Sequence, residues 1–431
     1  MKTTWQRTLK DEESNDGDTP LLKDKVADVV IIGSGLTGST LAYLLARKAF
    51  RVVVIEKGTM TESSNTAYTT AFLTSEIDTA LQDLVKMFGE RKAKAVWESG
   101  REAINAVEKI VNKLLIDCEF MRVPEFVFSS NPSEWEIVKK EAETAKKFSF
   151  EIEIKEKHEG TLPFPNEGYI VIPNQAKFHP LKYGKGLKDE AKKLGVEFFE
   201  NIEALGVGEN GHGTIITRVK RDDKNFSLRS KWVVIATHNP FNHPLELFAK
   251  TGTYTTYVLE LSIPKGILEE GLYLDAHNPY HYFRVDRGAL EKDRMILGGE
   301  DHRKEIKMDE EKNYAALFEF ADQILTGHPY KEVTRWSGEI IETIDGLPYI
   351  GLYSRKHPNI LVATGYSGNG MTYSMIAGKI LADRILGGLN VYESLYDPAR
   401  KYSATSFFIK FRDYAGEFFN GALKNIFRKG K

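Results

Sequence analysis

The stretch VVIIGSGLTGSTLAYLLARKAFRVVVIEKG, residues 29–58, decides the fold. Residues 26–32 are rich in β-branched side chains, as in a parallel strand buried on both faces. Gly33 permits a tight turn, Gly35 lets the backbone approach a pyrophosphate, and Gly38 lets the following helix pack close to the strand. From Thr37, the residues Leu41, Leu44 and Leu45 mark one apolar helical face, and Arg47 and Lys48 suit the C-terminal end of the helix dipole. The N-terminus of that helix faces phosphates. Residues 51–55 form a second strand, and Glu56 ends it, 18 residues after Gly38, where a carboxylate can accept hydrogen bonds from a ribose diol. A lone GxGxxG is a weak signal. The complete strand–turn–helix–strand–acid unit specifies a dinucleotide.

NAD and FAD both bind such units. The far end of the chain bears on the choice. Residues 359–387, NILVATGYSGNGMTYSMIAGKILADRILG, read as a short strand, a turn holding Gly365, Gly368 and Gly370, and a helix from about Met371 to Leu386. The helix N-terminus can set positive dipole beside a group that becomes anionic, as a reduced flavin ring does. A chain whose far end returns to the cofactor points to a large prosthetic group.

The rest of the chain is consistent with a soluble globular protein of two or three domains: 431 residues, 42% hydrophobic, 28% charged. A net charge of −2 argues against nucleic acid as a partner of the whole molecule. One cysteine, Cys118, allows no intrachain disulfide and no cysteine-ligated cluster, which suits a reducing compartment. The polar first 25 residues hold no signal-peptide core and no apolar run reaches about 18 residues, so a cytoplasmic location is expected.

Residues 63–74, SSNTAYTTAFLT, read as a hydroxyl-rich loop packed on the cofactor, Thr70 included, or as an ordinary loop of that composition. Residues 76–116 hold one or two helices. Strand-like runs follow at 120–128, 150–157 and 168–173, a helix at 181–194, strands at 196–199 and 231–237, and alternating runs between 254 and 300 that suggest an antiparallel sheet. The expected fold is α/β: a Rossmann-like FAD-binding domain (residues 1–80, 174–250 and 336–400) interleaved with an α+β substrate domain on an antiparallel sheet (81–173 and 251–335).

With these residues in hand, the chain resembles the D-amino-acid oxidase/glycine oxidase superfamily of FAD-dependent oxidoreductases. The resemblance rests on IIGSGLTG, QAKFHPLKYGKGL (175–187), VVIATHNPF (233–241), MILGGEDH (295–302), RWSGEIIETIDGLPYIG (335–351) and NILVATGYSGNGMT (359–372). It is most similar to a bacterial branch often fused to a C-terminal Rieske domain, with γ-glutamylputrescine oxidoreductases among the relatives. The resemblance implies oxidation of a C–N bond of an amine or amino acid by hydride transfer to the flavin N5, the imine then hydrolysing. No Rieske module is expected after Arg400, since the cysteines for a cluster are missing, which leaves O2, a quinone or a redox partner protein as electron acceptor. Relatives often carry a histidine where Tyr68 stands, and others attach FAD through a cysteine near the C-terminal flavin loop. Neither is present, so non-covalent FAD is expected.

Gly33, Gly35, Gly38 and Glu56 are expected at the ADP half, with Ala204 at the adenine as the resemblance implies. Gly365, Gly368, Asn369, Gly370 and Met371 would lie along the flavin. Asp345 and Gly346 either sit near the ring or form a plain turn. Arg284, with Tyr282 on the same strand face, is the candidate for holding a substrate carboxylate, the alternative being an arginine paired to an acid on the sheet. Replacing it should then raise KM steeply. Tyr257 and Tyr254 would line the cavity or belong to the core. His179, His238 and His302 are read as positioning groups, and no metal site is expected, because Pro279 interrupts the His277/His281 pair.

Residues 401–431 carry seven Lys/Arg against two Asp/Glu, with Phe407, Phe411, Phe418, Ala422 and Ile426 near helical spacing. This basic amphipathic tail reads as a closing helix, a partner contact, or a peripheral membrane contact on the inner face. Two other functional readings stand beside amine oxidation: an FAD-dependent dehydrogenase of a 2-hydroxy acid or polyol, and a non-enzymatic FAD-stabilised interaction protein.

Overall fold

The structure, a computed structural model, describes residues 1–9, 21, 23–157, 162–210, 212–241, 250–277, 279–288, 291–306 and 308–401. The basic tail lies outside the described residues.

A six-stranded sheet carries the dinucleotide unit. Its order is Tyr349–Ser354, His357–Thr364, Trp232–Ile235, Val29–Ile32, Val52–Ile55, Glu197–Phe199. The strands from His357–Thr364 onward run parallel, with Val30 beside both Val53 and Val233. Val29–Ile32 and Val52–Ile55 are buried throughout, which is why they read as unbroken apolar runs. The helix Leu36–Ala46 covers one face and packs against the helix Gly370–Ile385. At their crossing, a methyl on Gly378 would come within 2.6 Å of Thr40, so the two backbones approach closely there.

A nine-stranded sheet forms the second layer, running from Lys331–Thr343 through Thr251–Pro264, Lys292–Arg303, His281–Asp286, Gly271–Asp275, Met121–Ser129 and Gly168–Lys177 to Phe72–Leu73, with Glu153–Glu156 also paired to Gly168–Lys177. It is antiparallel except where Gly271–Asp275 runs parallel to Met121–Ser129. Its outer face packs on the helix Glu310–Leu325 through Phe283, Val285, Leu317 and Phe320. Two helices, Leu81–Phe88 and Glu90–Leu114, fill the stretch read as one or two helices at 76–116, with the break at Gly89. A four-stranded sheet of Lys25–Val26, Lys224–Ser230, Ile215–Arg221 and Glu203–Glu209 was not anticipated, because its strands are short and alternate polar with apolar residues.

The short N-terminal helix Thr4–Thr8 was not anticipated either. It is held by a capping box between Thr3 and Gln6 and by Trp5, which is fully buried.

The glycine turn is held by contact distance. A methyl on Gly38 would sit 1.9 Å from the Gly33 carbonyl oxygen, and one on Gly33 would sit 2.4 Å from the Ala236 oxygen. Gly38→Ala should therefore lower unfolding stability by about 1–3 kcal/mol in urea denaturation, through forced backbone displacement. Gly208→Ala, where a methyl meets nothing within 4 Å, serves as the control and should change little. Equal stability of the two variants would remove the close approach as a constraint.

Candidate active site

One cavity of about 810 Å³ begins at the C-terminal ends of the parallel strands and continues beneath the nine-stranded sheet. At its first end stand Gly33, Gly35, Glu56 and Ala204. Gly35 is the N-cap of the helix Leu36–Ala46 and brings no side chain to that helix end. Glu56 Oε2 accepts a hydrogen bond from the Ser34 amide at 2.9 Å, which fixes the carboxylate against the glycine turn. Lys57, paired with Glu203 at 2.8 Å, lies at this end too.

Midway stand Thr70, Gly365, Gly368, Asn369, Gly370 and Met371. Asn369 caps the helix Gly370–Ile385 without a side-chain bond to it, and beside Gly370 there is space that a methyl would not fill. Asn369 instead donates to the Thr74 hydroxyl and the Glu76 carbonyl, each at 3.3 Å, and Asp78 Oδ2 accepts from the Gly368 amide at 2.7 Å. Two helix N-termini thus open on one cavity, the first beside the Glu56 carboxylate. This arrangement fits a dinucleotide with a ring system at its far end, and FAD is such a molecule.

The loop facing that middle section is held by its carbonyl groups. Trp336 Nε1 donates to the Tyr68 carbonyl at 2.9 Å and Trp5 Nε1 to the Thr69 carbonyl at 2.6 Å. Arg284 donates to the carbonyls of Thr70 at 3.3 Å and Ala71 at 3.1 Å. Four consecutive peptide groups are therefore fixed by buried donors.

Beyond the turn, the nine-stranded sheet forms a roof. Tyr282 lines it, its ring lying across Gly298, where a methyl would meet the ring at 2.5 Å. The Tyr282 hydroxyl and Thr256 Oγ1 are 3.1 Å apart, and Tyr280 donates to Asp301 Oδ2 at 2.8 Å. Burial pushes the Asp301 carboxyl up to about 7.

Several expected site residues lie elsewhere. Gly38 sits behind the turn, in the helix–strand contact. Arg284 is on the same strand face as Tyr282, but it is 1% exposed and is not among the cavity-lining residues. Its guanidinium pairs with Asp286 at 2.8 Å and covers Trp5, so it is a structural arginine paired to an acid of its own strand. Tyr257 faces the other layer, bonded to His302 at 3.1 Å and packed edge-on against Tyr314. Asp345 is fully buried in an ion pair with Arg400 and shapes the turn through the Leu347 amide, with Gly346 beside it.

His179 caps the helix Pro180–Lys193 and is 2.9 Å from the Thr8 hydroxyl. His238 lines the cavity, and burial pushes its imidazole down to about 4, so it is neutral. Burial works against a charge on His281, yet its hydrogen bonds to Asp275 and Glu300 raise it to about 9.

Sequence reasoning missed the acids of the roof end: Glu76, Asp78, Glu125, Glu141 and Asp301 all line the cavity. For Glu125 a signal existed. Alternation in Met121–Ser129 places it between Val123 and Val127 on one face.

A family model for FAD-dependent oxidoreductases, DAO, matches residues 28–384. The chain belongs to that family. Within it, the chain is 30% identical over 384 residues to a putative Rieske 2Fe-2S iron–sulfur protein of Bacillus subtilis, covering 88% of this chain and 72% of that one. It is 24% identical to the glycine oxidase of Geobacillus kaustophilus over 83% of this chain and 92% of that one. The crystal structure of glycine oxidase from Geobacillus kaustophilus superposes with a TM-score of 0.72 at 18% identity, over 88% of this chain and all of that one. L-amino acid deaminase from Proteus vulgaris does so with a TM-score of 0.72 at 15% identity, over 90% of this chain and 99% of that one. The protein is an FAD-dependent oxidoreductase of α/β architecture. Among the described residues no helix is long and apolar enough to cross a membrane.

Arg284→Ala should act on stability first. It removes a partner from a buried carboxylate and releases two loop carbonyls, an expected cost of about 3–5 kcal/mol in urea denaturation. Burial opposes ionisation of Asp286, but Arg284, Arg294 and Lys177 hold its carboxyl well below the usual range. Its contribution is therefore present above the unfolded-state pKa of about 4 and lost as the pH falls below that. The variant should show a shallower loss of stability on acidification than the parent. Unchanged stability with a raised KM for a carboxylated substrate would restore Arg284 to the substrate site.

Proposed function

We propose that the protein oxidises the C–N bond of a small amine, with non-covalently bound FAD. The observation that carries this reading is the continuity of the cavity, from the glycine turn and Glu56, past Gly365–Met371, to a roofed chamber under Tyr282. Gly33, Gly35, Glu56 and Ala204 would hold the ADP half, and Thr70 with the 365–371 turn would hold the flavin. Bound there, FAD supplies a two-electron acceptor: the substrate carbon gives up a hydride and the nitrogen a proton, C–N becomes C=N, and water hydrolyses the imine.

The chain's own residues bind, orient and shield. Tyr282, Phe72 and Leu274 close the roof with apolar surface and exclude water from the reacting carbon. The Phe72 and Tyr282 rings meet edge-on at 5.7 Å, which fixes the tyrosine in place. Asp301, poised near neutrality beside Tyr280, is the group suited to take the proton of an incoming ammonium, since the neutral amine is the reactive form. Cys118 supports non-covalent attachment: it is buried away from the cavity, and burial pushes its thiol up to about 12. Tyr68 lines the cavity with its hydroxyl donated to the Glu62 carbonyl at 2.7 Å.

The 2-hydroxy-acid reading is disfavoured by a chamber rich in carboxylates. Anaerobic titration of the yellow protein with amines, amino acids and 2-hydroxy acids tests the choice. Bleaching of the flavin band by an amine, with ammonia or a shorter amine as co-product, is the expected result. Bleaching by hydroxy acids alone would sink the proposal. Boiling in acid should release all the flavin into the supernatant.

A further inference from the structure

We propose that the substrate is an unbranched alkyl diamine without a carboxylate, its distal ammonium held by Glu125 and Glu76. The inference rests on the reading of the protein as an amine oxidoreductase and names the substrate class of that same site.

The chamber is walled by Trp97, Val127, Val138, Ile170 and Ile172, which suits a methylene chain. Five carboxylates open on it, Glu76, Asp78, Glu125, Glu141 and Asp301. Four of them have donors of their own, Glu76 through the Ser75 hydroxyl on its Oε2 at 3.1 Å. Asp78 accepts from the Gly368 amide, Glu141 from the amides of Leu81 and Gln82, and Asp301 from Tyr280. Glu125 differs. It is 2% exposed and lines the chamber, and its Oε2 has no hydrogen-bond partner; Glu76 Oε1 and Asp301 Oδ1 also lack one. Burial, then the neighbouring Glu76, hold the Glu125 carboxyl well above the usual range. A buried carboxylate pair without a cation is costly, and the cost is offset when a cation enters.

No basic group of the chain, among the described lining residues, fills that role. Lys57 is committed to Glu203 at the other end, and His238 is neutral. Arg284 lies in the same cross-strand row, separated from Glu125 by Leu272, but its guanidinium is turned to Asp286. A substrate carboxylate would therefore meet like charge and no guanidinium. A substrate with two ammonium groups meets the opposite: one nitrogen loses its proton and reacts, and the other keeps its charge beside the adjoining carboxyls of Glu76 and Glu125.

The test uses the full-length, flavin-loaded protein and three probes of matched length: 1,4-diaminobutane, n-butylamine and 4-aminobutyrate. Anaerobic flavin reduction should half-saturate at about tenfold or more lower concentration with the diamine than with butylamine. It should be weakest, by about a hundredfold, with 4-aminobutyrate. Glu125→Gln should collapse the preference of diamine over butylamine. Because it removes an unpaired buried acid, it should melt no lower than the parent, which separates the effect from misfolding.

Calorimetric binding of 1,4-diaminobutane to the oxidised protein gives a readout independent of turnover, and Glu125→Gln should weaken it about tenfold or more. Reduction by 4-aminobutyrate or glycine as readily as by the diamine overturns the inference and leaves the amine-oxidation reading standing. Reduction by 2-hydroxy acids and by no amine overturns both. Absence of diamine binding, or binding indifferent to Glu125→Gln, overturns the inference whatever the kinetics.

Discussion

Asp286 carries a negative charge where water hardly reaches it, and three cations surround it. Lys177 and Arg284 meet one oxygen at 2.5 and 2.8 Å, and Arg294 meets the other at 2.7 Å. The two guanidinium groups lie 5.1 and 5.7 Å from the Trp5 indole ring. Through these partners one carboxylate joins the N-terminal helix, the 68–71 loop, the approach to the helix Pro180–Lys193, and two strands of the large sheet. A buried ion network is weak as a source of net stability, but removing any member leaves charge stranded. What the cluster provides is position: it sets where the loop carbonyls lie, and so where that wall of the cofactor cavity stands.

The cavity is electrostatically divided. Its first end offers the N-terminus of the helix Leu36–Ala46 and glycine amides, suited to phosphates. Its far end is lined by carboxylates within apolar walls. Such opposed ends suit a site that binds an anionic cofactor at one end and a cation at the other, and they favour one orientation of each. The arginine that sequence pattern offered as a carboxylate clamp belongs to neither end.

Residues 29–58 were legible because every cue there is local: β-branched strand, spaced glycines, amphipathic helix, terminal acid. The turn at 365–371 was legible for the same reason, and so was the strand face of Tyr282. Arg284 was left between a substrate clamp and a pair with an acid on the sheet, because its fate depends on Lys177, distant in sequence, on Arg294 of the neighbouring strand, and on Trp5. Tyr257 was left between cavity and core because an aromatic side chain in a strand suits either, and its packing on Tyr314 puts it in the core. Asp345 faced a similar ambiguity, and Arg400 resolves it. The acids around Glu125 were overlooked because an isolated Glu in a strand reads as solvent-facing until its neighbours show that the face is covered.

The two halves of the cofactor cradle lie at opposite ends of the chain. Gly33 and Glu56 are made early, Gly365 to Met371 near the end, and the helix Gly370–Ile385 must be complete before it can pack against Leu36–Ala46. Trp5 finds its place only when Arg284 and Arg294 are present. A chain that grows from its N-terminus cannot close this cavity during synthesis. A closed flavin cradle therefore needs residues 33–56 and 365–371 folded together.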